Sequence, residues 1–275
     1  MNQPYGTEPL LKVEKLTKRY ESQERLSRGE SVLALDCVSL AIRAGTTLAL
    51  VGESGSGKST LALCLALLER PTSGGIWFEE RDLTALGDRE QRAIRPQVQM
   101  IFQDPAAALN PRWSVAEIVR EPLVVQGRGS RPERQDRAIA VLEQAGLRAE
   151  LATRRPGALS GGQRQRVAIA RALVLAPKLL ILDEVLSALD CSVQAQIVNL
   201  LLELQHSLGL TYLFITHDLA MAAHVGDEIA VLERGRLVER GAVEQIMQKP
   251  QHQATRNLLG STPRMIASGA LRQEL

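Results

Sequence analysis

Gly52-Glu53-Ser54-Gly55-Ser56-Gly57-Lys58-Ser59 follows a short apolar run, Thr46–Val51, and leads through Thr60 into an apolar helical stretch, Lys58–Leu68, that Pro71 closes. A run of β-formers, then glycines, then helical spacing reads as strand, loop, helix. Glycine lets backbone N–H groups turn toward an anion, and the helix N-terminus adds the positive end of its dipole. Lys58 is placed to reach terminal phosphates and Ser59 to offer its hydroxyl to Mg²⁺. A phosphate loop in this context implies a nucleoside triphosphate as ligand.

Working outward, Val98–Phe102, Leu179–Leu182 and Thr211–Ile215 are further short apolar runs, as expected for strands covered by helices on both faces. A largely parallel sheet follows. Glu228–Leu232 and Leu237–Glu239 read as a hairpin around Gly235, followed by a short helix ended by Pro250, and the chain from about Ser261 reads as frayed. Between Gln103 and Pro177 the character turns helical. Ser114 with Glu117 and Ser130 with Glu133 form capping boxes, the second with Pro132 in its first turn. Ala138, Val141, Leu142 and Ala145 keep helical spacing up to Gly146, a C-cap residue. This inserted lobe is locally basic, with ten arginines against four acidic residues over 128–171, which reads first as a solvated helix surface.

The whole chain, by contrast, carries 33 basic and 31 acidic side chains, so its net charge calls for no nucleic-acid partner. With 45% apolar and 23% charged residues in 275, it belongs with folded globular proteins of one large or two small domains. Cys37, Cys64 and Cys191 stand far apart and suit a reducing compartment. Met1–Leu11 lacks the order of a signal peptide, and the apolar run Leu61–Leu68 falls short of the roughly 18 residues that cross a bilayer. Any membrane role is therefore expected to run through a partner.

Leu179-Leu180-Ile181-Leu182-Asp183-Glu184 delivers two acids at the tip of an apolar strand. Asp183 is the candidate Mg²⁺ ligand and Glu184 the candidate general base for an attacking water. An adjacent acid pair is also an ordinary strand-end feature, so it gains meaning only beside the phosphate loop. Ser160-Gly161-Gly162-Gln163 repeats the cap logic, with Ser160 as N-cap and Gln163 closing the box. Two glycines weaken a first helical turn unless backbone must approach something, which marks a second anion site.

Leu159-Ser160-Gly161-Gly162-Gln163, the phosphate loop, the acid pair, Ser187-Ala188-Leu189-Asp190 and Thr216-His217-Asp218 together resemble an ATP-binding-cassette ATPase, from about Leu11 to Leu259. The resemblance implies an α/β fold with a P-loop NTPase (RecA-like) core. In it a mostly parallel sheet, an antiparallel β portion and a helical subdomain of about 104–177 form one nucleotide-binding domain over 1–260, with 261–275 as a tail. It implies ATP and Mg²⁺ as cofactors and a head-to-tail dimer, each ATP held between one phosphate loop and the other subunit's Ser160 segment. By the same resemblance Gln103 is the lobe-linking glutamine and a metal contact, His217 the γ-phosphate switch, and Tyr20 the aromatic stacked on adenine. Taken singly, His217 reads as a strand-end residue and Tyr20 as core; Trp77 and Phe78 also read as core.

Phe102-Gln103-Asp104-Pro105 with Leu109-Asn110-Pro111-Arg112, and Asp190-Cys191-Ser192-Val193-Gln194-Ala195-Gln196, resemble the ATPase subunits of oligopeptide, dipeptide and nickel importers. The partners so implied are two transmembrane permease subunits, a second ATPase subunit and, indirectly, an extracytoplasmic solute-binding protein, at the cytoplasmic face of the membrane. A second reading is a soluble relative acting on an enzyme complex such as a phosphonate-degrading assembly. A GTPase or kinase lacks support, since no Asn-Lys-x-Asp guanine reader occurs. The chain departs from the family pattern at Val185, where proline is usual after the base, at Gly157-Ala158 before the signature, and at Gln253-Ala254, where Pro-Tyr is usual. These departures predict a looser turn under Glu184 and weaker docking of the C-terminal segment. No cysteine follows Cys191, so no iron–sulfur cluster is expected.

Overall fold

The computed structural model describes residues 8–21, 31–104 and 108–261. Pro105 and the tail beyond Ser261 lie outside the described residues.

Five apolar strands run parallel: β3 (Thr47–Val51), β6 (Val98–Ile101), β7 (Leu179–Asp183), β8 (Thr211–Thr216) and β9 (Glu228–Glu233), with β10 (Arg236–Ala242) antiparallel at the edge in the order β10-β9-β3-β8-β7-β6. Every residue of β3, β7 and β8 is buried, because helices cover both faces. The sheet is thus largely parallel, as read from sequence; β3 and β6 are one residue shorter than read, β7, β8 and β9 one residue longer, and β10 runs on to Ala242.

A second sheet is antiparallel, in the order β2-β1-β4-β5, from β1 (Pro9–Glu21), β2 (Ser31–Arg43), β4 (Ser73–Phe78) and β5 (Arg81–Asp82). It packs its inner side chains, among them Leu11, Leu16, Leu35, Ile42, Ile76 and Phe78, onto the same core as helix α1 (Lys58–Leu65). Trp77, expected in the core, is only half-buried, because it faces outward on β4 opposite Lys12, whose ammonium lies 5.9 Å from its ring centroid.

After the short α2 (Asp88–Ile94), the helical lobe holds α3 (Val115–Val125), α4 (Arg131–Gln144) and α5 (Gly161–Leu173) around a separate core of Leu109, Val115, Val119, Val141 and Leu142. The capping boxes at Ser114 and Ser130 form as the sequence predicts. Ala138, Val141, Leu142 and Ala145 are all buried, and Gly146 takes φ 71° just past the helix end. Then follow α6 (Cys191–Leu208), α7 (Leu219–Val225), α8 (Val243–Gln248) and α9 (Gln253–Ser261). Among the described residues no helix is long and apolar enough to cross a membrane.

Candidate functional site

The phosphate loop leaves β3 at Gly52 and enters α1 at Lys58. A side chain at Gly52 has no room, since a Cβ there would lie 2.2 Å from the Leu232 carbonyl oxygen; Gly57 adopts φ 106° against the Ala34 carbonyl, at 2.5 Å. The loop is braced from outside its own motif. Gly235 of the β9–β10 turn donates its N–H to the Ser56 carbonyl at 2.9 Å, and Asp36 of β2 donates its N–H to the Gly235 carbonyl at 2.8 Å. The sequence reading saw the hairpin around Gly235 but not this brace, which joins distant segments. The crown of the loop, Glu53, Ser54 and Gly55, is exposed.

Lys58 is buried, and its ammonium donates to the carbonyls of Gly52 and Glu53, each at 2.8 Å. Burial pulls its pKa below the ordinary lysine value, and the charges of Glu184 and Asp183 oppose that shift. The Ser59 hydroxyl donates to the Asp183 carboxylate at 3.3 Å. Burial pushes Asp183 above the usual carboxylate range and the charge of Glu184 adds to it, against the pull of the Ser59 hydroxyl and Lys58. One carboxylate and one hydroxyl are a hard-oxygen set that suits Mg²⁺, which keeps waters and completes its shell with substrate phosphates. The same pair would not by itself cage a metal, and among the described residues no cluster of three or more His, Cys, Asp or Glu side chains does.

Glu184 sits at φ 47°, in the left-handed region that non-glycine residues seldom occupy, and strain of this kind concentrates where a side chain must be aimed. The turn is fixed by Glu184 N–H to the Ile215 carbonyl at 3.0 Å and by the Ser187 N–H and hydroxyl on the Glu184 carbonyl, at 3.1 and 2.9 Å. Val185, the residue that stands where proline is usual, is buried in the core shared by α5, α6, β7 and β8 and packs this turn against it. His217 Nδ1 approaches Glu184 Oε2 to 3.6 Å, and both line a small cleft with Ser187, Gln194 and Asp218. Asp218 caps α7 by accepting from the Ala220 and Met221 N–H groups. Gln103 is exposed; its amide donates to the Ser187 hydroxyl at 3.4 Å, one link from the Glu184 carbonyl.

Tyr20 pairs with Val32 across β1 and β2, two residues from Ala34, which walls the loop at Gly57. The Lys18 ammonium lies 4.8 Å from its ring centroid and is itself held by Glu69 and the Arg70 carbonyl. Ser160 and Gln163 form their capping box, with N–H···O distances of 3.0 and 3.2 Å, at the start of α5. That segment lines a cleft with Arg148, Glu150, Arg166 and Gln196 that contains no residue of the phosphate loop. Gly162 also has a packing reason that sequence reasoning missed: a Cβ there would lie 2.6 Å from a Val193 methyl of α6.

The C-terminal segment docks in spite of Gln253 and Ala254. Thr255 is fully buried and Leu258 nearly so, in a core shared with Val51, Leu219 and Val231.

A parallel sheet that delivers a glycine-rich loop to a helix start, with an acid-tipped strand alongside, defines the P-loop class of α/β proteins. Residues 35–187 match the model of the family described as ABC transporter, and the chain belongs to that family. It is 45% identical over 268 residues to a dipeptide transport ATP-binding protein, DppF, of Haemophilus influenzae, covering 97% of this chain and 81% of that one. To the protein of the same name from Escherichia coli it is 44% identical, covering 94% and 78%. A solved structure described as the dimeric post-hydrolysis state of the ATP-binding cassette MJ0796, bound to ADP and Pi, matches with a TM-score of 0.74 and 34% identity, over 85% of this chain and 98% of that one.

Proposed function

We propose that this chain is the ATP-binding and ATP-hydrolysing subunit that powers an importer for peptides. The observation that carries the reading is the Ser59–Asp183 hydrogen bond beside the buried Lys58 ammonium: a phosphate-binding loop joined to a carboxylate two strands away. The relatives named above carry dipeptide transport in their names, so peptides rather than nickel are the solute class proposed.

In this mechanism the backbone N–H groups of Gly52–Thr60 and the start of α1 cradle the phosphates, and Lys58 turns from the loop carbonyls to the β/γ-phosphates. Ser59 and Asp183, with Gln103 as the third donor, would hold Mg²⁺, which supplies charge neutralisation for the phosphate oxygens. Glu184 accepts the proton of the attacking water, and His217, within reach of Glu184, contacts the terminal phosphate. Tyr20 stacks on adenine. Ser160, Gly161, Gly162 and Gln163 serve the nucleotide of a second ATPase subunit placed head to tail, and the similar cassette named above is described as dimeric.

The transmembrane partners dock between the lobe and the sheet. A cleft of about 400 Å³ lies there, rimmed by the exposed Leu68, Phe102 and Val125 and the charged Arg95, Glu121 and Arg171. The subunit therefore works at the cytoplasmic face of a membrane without entering it.

Steady-state hydrolysis of Mg-ATP by the purified protein tests this reading. Lys58→Ala is expected to lower turnover by about 10²-fold or more, as when one preorganised charge contact to the transition state is removed. Undiminished hydrolysis by that variant overturns the site, and absence of ATP-dependent peptide uptake in vesicles carrying its permeases and binding protein overturns the transport role.

A further inference from the structure

Glu239, on β10, accepts three hydrogen bonds from the segment that opens α9. The Gln251 N–H donates to Oε1 at 2.7 Å, the His252 N–H to Oε2 at 2.9 Å, and the Thr255 hydroxyl to Oε2 at 2.5 Å. One carboxylate thus holds both the approach to the helix and its first turn. From that seat Ala254 and Leu258, four residues apart on one face of α9, wall a small cavity whose other sides are Gly52–Ser56 of the phosphate loop and Leu232–Arg234 of the bracing hairpin. Leu258, with Ala254 and Leu259 beside it, joins the core of Val51, which precedes the loop, and of Leu219 and Ala222, which follow His217.

We infer that Glu239 is a positioning residue for nucleotide binding: by pinning α9 through Thr255, it fixes the outer wall of the phosphate loop. The inference rests on the ATPase reading above. A loop whose crown is exposed must be held from behind in the conformation that accepts phosphates. If the wall loosens, the loop is competent for only a fraction of the time, and apparent affinity falls by that fraction while the bound complex reacts as before. The group that sets ATP affinity then lies in the last part of the described chain, far in sequence from the phosphate loop.

The test is steady-state ATP hydrolysis by the full-length protein with Glu239→Gln, Thr255→Val and Thr255→Ser. Glu239→Gln and Thr255→Val are expected to raise KM for ATP by about 5-fold or more, with kcat within about 2-fold of wild type, as a fall in the competent fraction to about one fifth requires. Thr255→Ser keeps the hydroxyl and should restore the wild-type KM. A merely structural role would instead reduce the active fraction, which lowers apparent kcat and leaves KM in place. If Glu239→Gln does not fold, the Thr255 pair carries the comparison. Equal KM for Thr255→Val and Thr255→Ser, in a chain whose wild type hydrolyses ATP, overturns the inference. A wild type without ATPase activity overturns the underlying reading instead.

Discussion

Ser59 and Asp183 stand 124 residues apart in the chain and share a hydrogen bond of 3.3 Å, the hydroxyl donating to the carboxylate. The bond joins the first turn of the helix after the phosphate loop to the tip of β7. The bond only partly offsets the position of Asp183, where burial pushes its pKa up and the neighbouring Glu184 adds a like charge.

Because the carboxyl is raised in the folded state, its ionised form at neutral pH costs folding free energy; the cost is absent below the unfolded pKa and complete above the folded one. Asp183→Asn should therefore stabilise the nucleotide-free protein, by about 1 kcal/mol or about 2–4 °C in Tm, a common bargain where a site is built for charge. The same variant should lose Mg-ATP turnover by about 10²-fold or more, since it removes a charged contact that matters in the transition state. Thermal melts in chelator beside turnover measurements check both halves. A lower Tm would mean that the carboxylate is better stabilised in the fold than its burial implies.

Glu184→Gln tests the base. The swap is nearly isosteric, and the turn is held by backbone groups, Glu184 N–H to Ile215 and Ser187 to the Glu184 carbonyl, so the side chain should stay aimed. An amide cannot take the water's proton, and turnover should fall by about 10²–10⁴-fold. ATP binding should persist, because Lys58, Ser59 and Asp183 remain. Uncleaved ATP should then hold two chains together by mass action. Size-exclusion chromatography with ATP is expected to show a dimer for the variant and a shorter-lived one for wild type. Hydrolysis at the wild-type rate would remove Glu184 from the role.

What the sequence made legible was what is local or periodic. β3, β7 and β8 showed themselves as unbroken apolar runs because both faces are covered, and the caps at Ser114, Ser130 and Ser160 each span only four residues. The strands of the antiparallel sheet were not placed individually. Bulges interrupt β1 between Val13 and Lys18, and Lys15 and Cys37 adopt positive φ, so two-residue alternation breaks down there. Long-range contacts left no local trace: neither the Gly235 brace on Ser56 nor the seat of α9 on Glu239 could be read from spacing. Gly162 shows the converse, a glycine read for ligand approach that also answers to the packing of Val193.

Acid should unseat α9. Burial pushes the Glu239 carboxyl up, yet the Thr255 hydroxyl and the N–H groups of Gln251 and His252, aided by the charge of His252, hold it below the usual range. A lowered folded pKa gives stability that is present above the unfolded value, about 4.3, and lost as pH falls through the folded one. Wild type should therefore unfold at a higher urea midpoint than Glu239→Gln at pH 7, and the gap should close as pH drops below about 4. A gap unchanged into acid would mean that the carboxylate's charge does not hold this contact.

The last prediction concerns a side chain with nothing to bond. Gln165 is fully buried in α5, and both its amide nitrogen and its amide oxygen lack a hydrogen-bond partner. It lies four residues after Gly161 and four before Ile169, on a helix face whose Ala168, Ile169 and Ala172 pack against Val185, Leu186 and Ile197. Burying an unsatisfied polar group costs about 1–3 kcal/mol, whereas an apolar side chain of similar size at the same place recovers transfer free energy. Gln165→Leu should therefore raise unfolding free energy by about 1–3 kcal/mol, seen as a higher urea midpoint with an unchanged m-value. Gln165→Ala separates the two contributions, since it removes the unsatisfied amide but leaves a cavity between α5 and the loop after Glu184, and it should gain less than Gln165→Leu. If Gln165→Leu lowers the midpoint, the amide has hydrogen-bond partners in solution and its burial carries no such cost.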